Sequence, residues 1–163
     1  VSLSLPVKLL ILLLIANGAP IVLRRVLGDR GNWPIDRGWR LPSDGCRILG
    51  SSKTWRGLLA AILCAGLAAP LMNMPLRVGV LMGFWAMAGD LLSSFIKRRS
   101  GLTPGSMAFG LDQIPESLFP LLAVGVDAGL SLEATGMLVV LFLFLELALS
   151  RLLFALHIRE RPY

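Results

Sequence analysis

The sequence predicts an all-α fold: a polytopic membrane helix bundle of about five transmembrane helices, with the N-terminus outside and the C-terminus cytoplasmic. Three observations carry that expectation. Of the 163 residues, 55% are hydrophobic and 16% are charged, whereas soluble domains run at roughly 45–50% apolar and about 25% charged. Mean hydropathy is +0.74. The apolar residues also gather into five runs, each approaching the roughly 20 residues that a spanning helix needs. This composition excludes a disordered chain, a collagen-like repeat and a disulfide scaffold.

The first run extends from about Ser2 to Leu23, with Lys8 near its start and Asn17-Gly18-Ala19-Pro20 near its end. It is followed by Arg24-Arg25 without a small-x-small cleavage pattern, so a retained helix is expected rather than a signal peptide. The second, Gly57 to Leu76, contains no charge over 20 residues. Leu76 to Ile96 forms the third, which carries one acid, Asp90. A fourth begins near Ile114 and must pass Asp127 to reach full length. The fifth runs from about Ala134 to Leu156 and is interrupted by Glu146 and Arg151.

Two polar loops, about 24–56 and 97–113, would share one side of a single membrane domain spanning residues 1–163. With the C-terminal end they hold 14 of the 16 lysines and arginines, leaving Lys8 and Arg77 opposite. Basic loops stay cytoplasmic, which sets the expected orientation and explains the high pI without nucleic acid. Trp33, Trp39 and Trp55 suit an interfacial belt. Cys46 and Cys64 have neither C-x-x-C nor zinc spacing and are not expected to pair. His157 is the single histidine and reads as an interfacial side chain.

Ionisable residues within apolar segments face a bundle interior or a cavity. Asp90, Ser94 and Lys97 are spaced four and three apart, so a helix puts them on one face. The Lys97-Arg98-Arg99 run alone would mark a membrane edge, but it does not account for a carboxylate about two turns deeper. Gly50-Ser51-Ser52-Lys53-Thr54-Trp55-Arg56-Gly57 precedes a helix and offers hydroxyls, two cations and a helix start suited to phosphate. It is not a Walker loop, because Ser51 stands where lysine is required. In Leu111-Asp112-Gln113-Ile114-Pro115-Glu116, Pro115 suits a helix start and Asp112 is expected to cap it. Carboxylates and cations converging on one face would suit Mg²⁺ with phosphate oxygens.

Gly89-Asp90, Ser94-Phe95-Ile96-Lys97-Arg98-Arg99, Leu111-Asp112-Gln113 and Lys53-Thr54-Trp55-Arg56-Gly57 together resemble the CDP-archaeol synthase family in motif order and five-helix layout. Ser94-x-x-Lys97-Arg98 is more distantly similar to the phosphatidate cytidylyltransferase signature. The resemblance implies a Mg²⁺-dependent cytidylyltransferase that joins CTP to an archaetidic acid-like lipid phosphate, with the site facing the cytoplasm. Asp90, Asp112 and Lys97 would be catalytic. Lys53, Arg56, Ser94 and Arg98 would bind substrate, and Asp90, Asp112 and Glu116 would hold the metal. Two departures stand out: Pro115 occupies the place of an expected acid, with Glu116 beside it, and Ser93 stands near an expected lysine. A membrane scaffold or lipid-binding protein with a decayed site is the alternative. A transporter using Asp90, Asp127 and Glu146 is a third reading. Expected partners are CTP, lipid phosphate and membrane lipids, with no nucleic acid; self-association is left open, since small-residue helix contacts occur within and between subunits.

Overall fold

A computed structural model describes residues 3–157. Arg159 and Arg161, used above for the charge bias, lie outside the described residues. The chain forms α1 (Leu5–Leu27), α2 (Trp55–Leu71), α3 (Leu76–Arg99), α4 (Gln113–Pro120) and α5 (Leu132–Ala155). Among the described residues there is no strand, only isolated bridges between Pro34 and Thr54 and between Arg40 and Arg47.

Helices α1, α3 and α5 are long and apolar enough to cross a membrane; α2, with 17 residues, is apolar but shorter. The fourth apolar run differs from expectation. Helix α4 continues only as a wider π-turn over Leu121–Gly125, and the chain turns before Asp127. An acid and the glycines flanking it there favour a turn over another helical turn. Trp33 and Trp39 are strongly exposed and Trp55 less so. Both cysteines are free.

Local chemistry sets the helix ends. Arg24 and Arg25 occupy the last turn of α1, where cations complement the helix dipole. Gly28 follows at φ +55°, the left-handed geometry that glycine adopts cheaply. The Thr54 hydroxyl accepts from Gly57 N at 3.2 Å and starts α2. Ser131 does the same for α5, accepting from Ala134 N at 3.1 Å.

Helices α2 and α3 meet along small residues. Ala61, Ala65 and Ala69 are fully buried against Gly79 and Gly83. A Cβ on Gly83 would lie 2.8 Å from Ala61 O and from Ile62 Cα, so the two backbones are in contact. Such small-xxx-small seams are how helices associate where lipid is as apolar as leucine. A second cluster joins α1, α3, the π-turn and α5 through Leu9, Leu12, Leu13, Met82, Leu121 and Phe142, each fully buried. Large apolar side chains such as Leu63, Leu67, Met137 and Phe144 point outward, as expected of surfaces that face lipid.

Candidate active site

At the end of the bundle where both polar loops meet, Lys53 from the first loop reaches Asp90 on α3. Its Nζ lies 2.5 Å from Oδ1 and 2.6 Å from Oδ2, so one ammonium serves both carboxylate oxygens. Glu116 on α4 is buried and lies within hydrogen-bonding reach of Asp90. This approach depends on Gly89. A Cβ there would collide with the Pro115 carbonyl and sit 2.7 Å from Glu116 N. A residue without a side chain next to Asp90 therefore lets α4 present Glu116 to it.

Lys53 belongs to the first loop, outside the helices. Burial pulls its pKa down, but the carboxylates of Asp90 and Glu116 outweigh that and hold it above the ordinary lysine value.

Lys97, one turn beyond Ser94, turns to the second loop. Its Nζ is 2.6 Å from Asp112 Oδ1 and donates to Ser106 O at 3.0 Å. Asp112 does not cap α4 as expected. Its Oδ2 accepts from Ala108 N at 2.9 Å, so the carboxylate faces back into the loop, and Gln113 Oε1 accepts from Gly110 N instead. A carboxylate that can meet an ammonium and a loop amide together leaves the helix amides to other partners.

The three consecutive bases of α3 diverge. Arg98 donates to Thr103 O at 2.9 Å, while its Nε and Nη1 are buried without a hydrogen-bond partner among the described residues. Arg99 crosses to the first loop, donating to Asp44 Oδ1 at 3.0 Å, to Arg47 O at 2.7 Å and to Cys46 O at 3.3 Å. Its guanidinium also covers the Phe95 ring, 5.3 Å from the centroid. A bare membrane-edge reading of this triplet is therefore incomplete.

Asp36 organises the first loop. It bonds the Arg47 guanidinium and accepts from Gly38 N at 3.1 Å, Leu49 N at 3.2 Å and Gly50 N at 2.9 Å. Burial alone would raise its pKa, but the Arg47 guanidinium and these amides hold the carboxyl far below the ordinary carboxylate range. The loop thereby presents Lys53 from a fixed frame: Ile35 N donates to Lys53 O at 2.9 Å and Trp55 N to Trp33 O at 3.1 Å.

The structure thus brings Lys53, Asp90 and Glu116 together, with the Lys97–Asp112 pair about two turns further along α3. Ser94 is buried on α3 beside them. Arg56 is not brought in: its guanidinium bonds the carbonyls of Gly28 and Arg30 beyond the end of α1. Ser93 is fully buried, its hydroxyl donating to Gly89 O at 3.0 Å and Leu111 O at 2.6 Å, which ties α3 to the second loop. Asp36, Arg47, Asp44 and Arg99 were not singled out by spacing. The Asp36-Arg37-Gly38 turn sequence was the available signal for the first of them.

No three His, Cys, Asp or Glu side chains among the described residues gather at metal-binding spacing. Asp90 and Glu116 form a two-carboxylate set, which matches how Mg²⁺ is held when substrate phosphates and water supply its other ligands.

The chain is similar in sequence and in fold to known proteins. The CarS-like family, described as CDP-archaeol synthase, matches residues 70–163. A CDP-archaeol synthase of Hyperthermus butylicus is 38% identical over 150 residues, covering 85% of this chain and 86% of the relative. Its counterpart from Pyrococcus furiosus is 41% identical over 110 residues, and the alignment spans 60% of each protein's length. One solved structure, described as an intramembrane enzyme for archaeal membrane lipids biosynthesis, is similar with a TM-score of 0.74 and 36% identity. That similarity covers 88% of this chain and 91% of the other. By sequence and by fold, this chain belongs to the CDP-archaeol synthase family.

Proposed function

We propose that this chain is a Mg²⁺-dependent cytidylyltransferase. It would condense CTP with an archaetidic acid-like ether lipid phosphate, giving CDP-activated lipid and pyrophosphate. The observation that carries this reading is the Asp90–Glu116 carboxylate pair with Lys53 on it and Lys97 and Arg98 close by, in a chain of this family. A phosphate oxygen of the lipid attacks the α-phosphorus of CTP. The bond to the β-phosphate bridging oxygen breaks, and pyrophosphate leaves with that electron pair. Such transfers need positioning and charge neutralisation more than covalent help.

Asp90 and Glu116 would hold the Mg²⁺, with Asp112 the third carboxylate of this end. When bound, the metal offsets charge on the triphosphate and on the departing pyrophosphate. Lys53 and Lys97 would meet phosphate oxygens. The buried, unmatched Nε and Nη1 donors of Arg98 suit another, because orphaned donors are costly until an acceptor arrives. Ser94 would line the same stripe, and Arg56 would act only at the outer edge. The site would face the cytoplasm, where CTP is found, and the lipid would enter sideways between helices.

The decayed-site reading is less favoured, because the Pro115 departure is accompanied by Glu116 placed against Asp90. Transport is less favoured because Asp127 lies in an exposed turn rather than inside the bundle.

The test is CDP-lipid formation by purified protein with labelled CTP, with or without Mg²⁺, on archaetidic acid, phosphatidic acid and a polyprenyl phosphate. Mg²⁺-dependent product from one lipid, lost in folded Asp90→Asn and Glu116→Gln, is expected. Retained turnover in both variants would reject the metal assignment.

A further inference from the structure

We infer that Lys53 is a built-in counter-ion occupying the place of the divalent cation in the free protein, and that cation binding drives its ammonium off Asp90 toward the incoming phosphate. This rests on the metal reading above and adds an order of events to it. Asp90 lies near the loop end of spanning-length helix α3 with the buried Glu116 beside it, and a carboxylate held there is stabilised by a cation paired with it. In the free protein one ammonium supplies it, lying 2.5 and 2.6 Å from the two Asp90 oxygens. A metal ion bound to Asp90 needs an oxygen that Lys53 already occupies, so the two cations compete.

Lys97 does not take this part, because Asp112 and Ser106 O already hold it. Lys53 is suited to move: it comes from a loop, its charge is a point on a flexible four-carbon stem, and no other side chain bonds its Nζ among the described residues. Once displaced, it stays tethered beside the carboxylates at its fixed backbone position, with an unmatched positive charge where phosphate would arrive. Cation binding would thus create a phosphate contact that the free protein lacks.

The experiment measures Mn²⁺ binding alone, by the loss of its free paramagnetic resonance signal, to the full chain in detergent. Wild type is compared with Lys53→Gln, Lys53→Arg and Asp90→Asn. Lys53→Gln removes the competitor and should bind Mn²⁺ on the order of tenfold more tightly. Its melting temperature without metal should fall, and Mn²⁺ should raise it by more than in wild type. Lys53→Arg keeps the charge and grips a carboxylate with two parallel bonds, so Mn²⁺ should bind several-fold more weakly than in wild type. Asp90→Asn should abolish binding.

Equal or weaker binding by folded Lys53→Gln, or equal or tighter binding by Lys53→Arg, overturns the counter-ion role. If Asp90→Asn still abolishes binding in that case, the metal assignment survives. No Mn²⁺ binding by any of the four proteins overturns both.

Discussion

Replacing Gly89 by alanine adds one methyl group at the point where α4 lies on α3, and it tests how the site is assembled. The new Cβ would meet the carbonyl of Pro115 and lie 2.7 Å from Glu116 N. These are backbone atoms, so no side-chain rotation relieves the clash. Moving the Pro115 carbonyl, the nearest group, out to ordinary contact at 3.4 Å requires α4 to retreat by about 1 Å. Overpacking of this kind costs about 1–3 kcal/mol, and the rigid partner places it near the top of that range. Alanine regains about 1 kcal/mol of helix propensity over glycine, leaving a net loss of about 2 kcal/mol. The larger effect should fall on chemistry, since a misplacement of about 1 Å costs on the order of 100-fold in rate. Gly136→Ala is the internal control, because nothing lies within 4 Å of a Cβ there; it should raise stability slightly and leave turnover unchanged. The assay is labelled CDP-lipid formation beside thermal unfolding in detergent. Wild-type turnover and melting temperature in Gly89→Ala would refute the claim that contact between these backbones positions Glu116.

Lys97→Met should destabilise the second loop by about 3 kcal/mol, because it leaves the largely covered Asp112 carboxylate without its cation; thermal unfolding beside Lys97→Met/Asp112→Leu, expected to recover part of the loss, would show it. Arg99→Ala releases Asp44, Cys46 O and Arg47 O together, so limited proteolysis should cut the first loop faster, with KM for CTP raised more than kcat falls. Asp36→Asn removes a carboxylate whose folded pKa is depressed below its ordinary 3.8. That contribution is present above about pH 4 and is lost as pH falls through the folded value, so from pH 5 to 8 the variant loop should be cut faster than wild type by a constant factor. A difference that grows steadily with pH across that range would contradict this.

Four of the five helices were legible because uninterrupted apolar runs of this length have few other uses. The fourth was overestimated: hydropathy continues past Leu121, but Asp127 and Gly129 end it, and a wide turn replaces the missing length. In the site, the Asp90, Ser94 and Lys97 stripe followed from helical spacing alone. The Lys53–Asp90 contact did not, since the two residues lie 37 apart and only the packing of α2 on α3 brings them together. Arg56 looked equivalent to Lys53 by proximity, yet its side chain leaves toward Gly28 and Arg30. Asp112 had the identity of a helix cap, and tertiary contact with Lys97 and Ala108 N overrode that local preference. Pro115 read as a lost acid; its carbonyl turned out to be what packs on Gly89.

The last turn of α3 makes the two loops one mechanical body. Lys97 and Arg98 hold the second loop and Arg99 holds the first, from three adjacent positions on a single rigid rod. Neither loop can lift away without loading the other through that turn. Admission of a bulky amphiphile would therefore proceed as a joint tilt rather than as two independent flaps, and amide exchange in residues 36–50 and 101–112 should rise and fall in step.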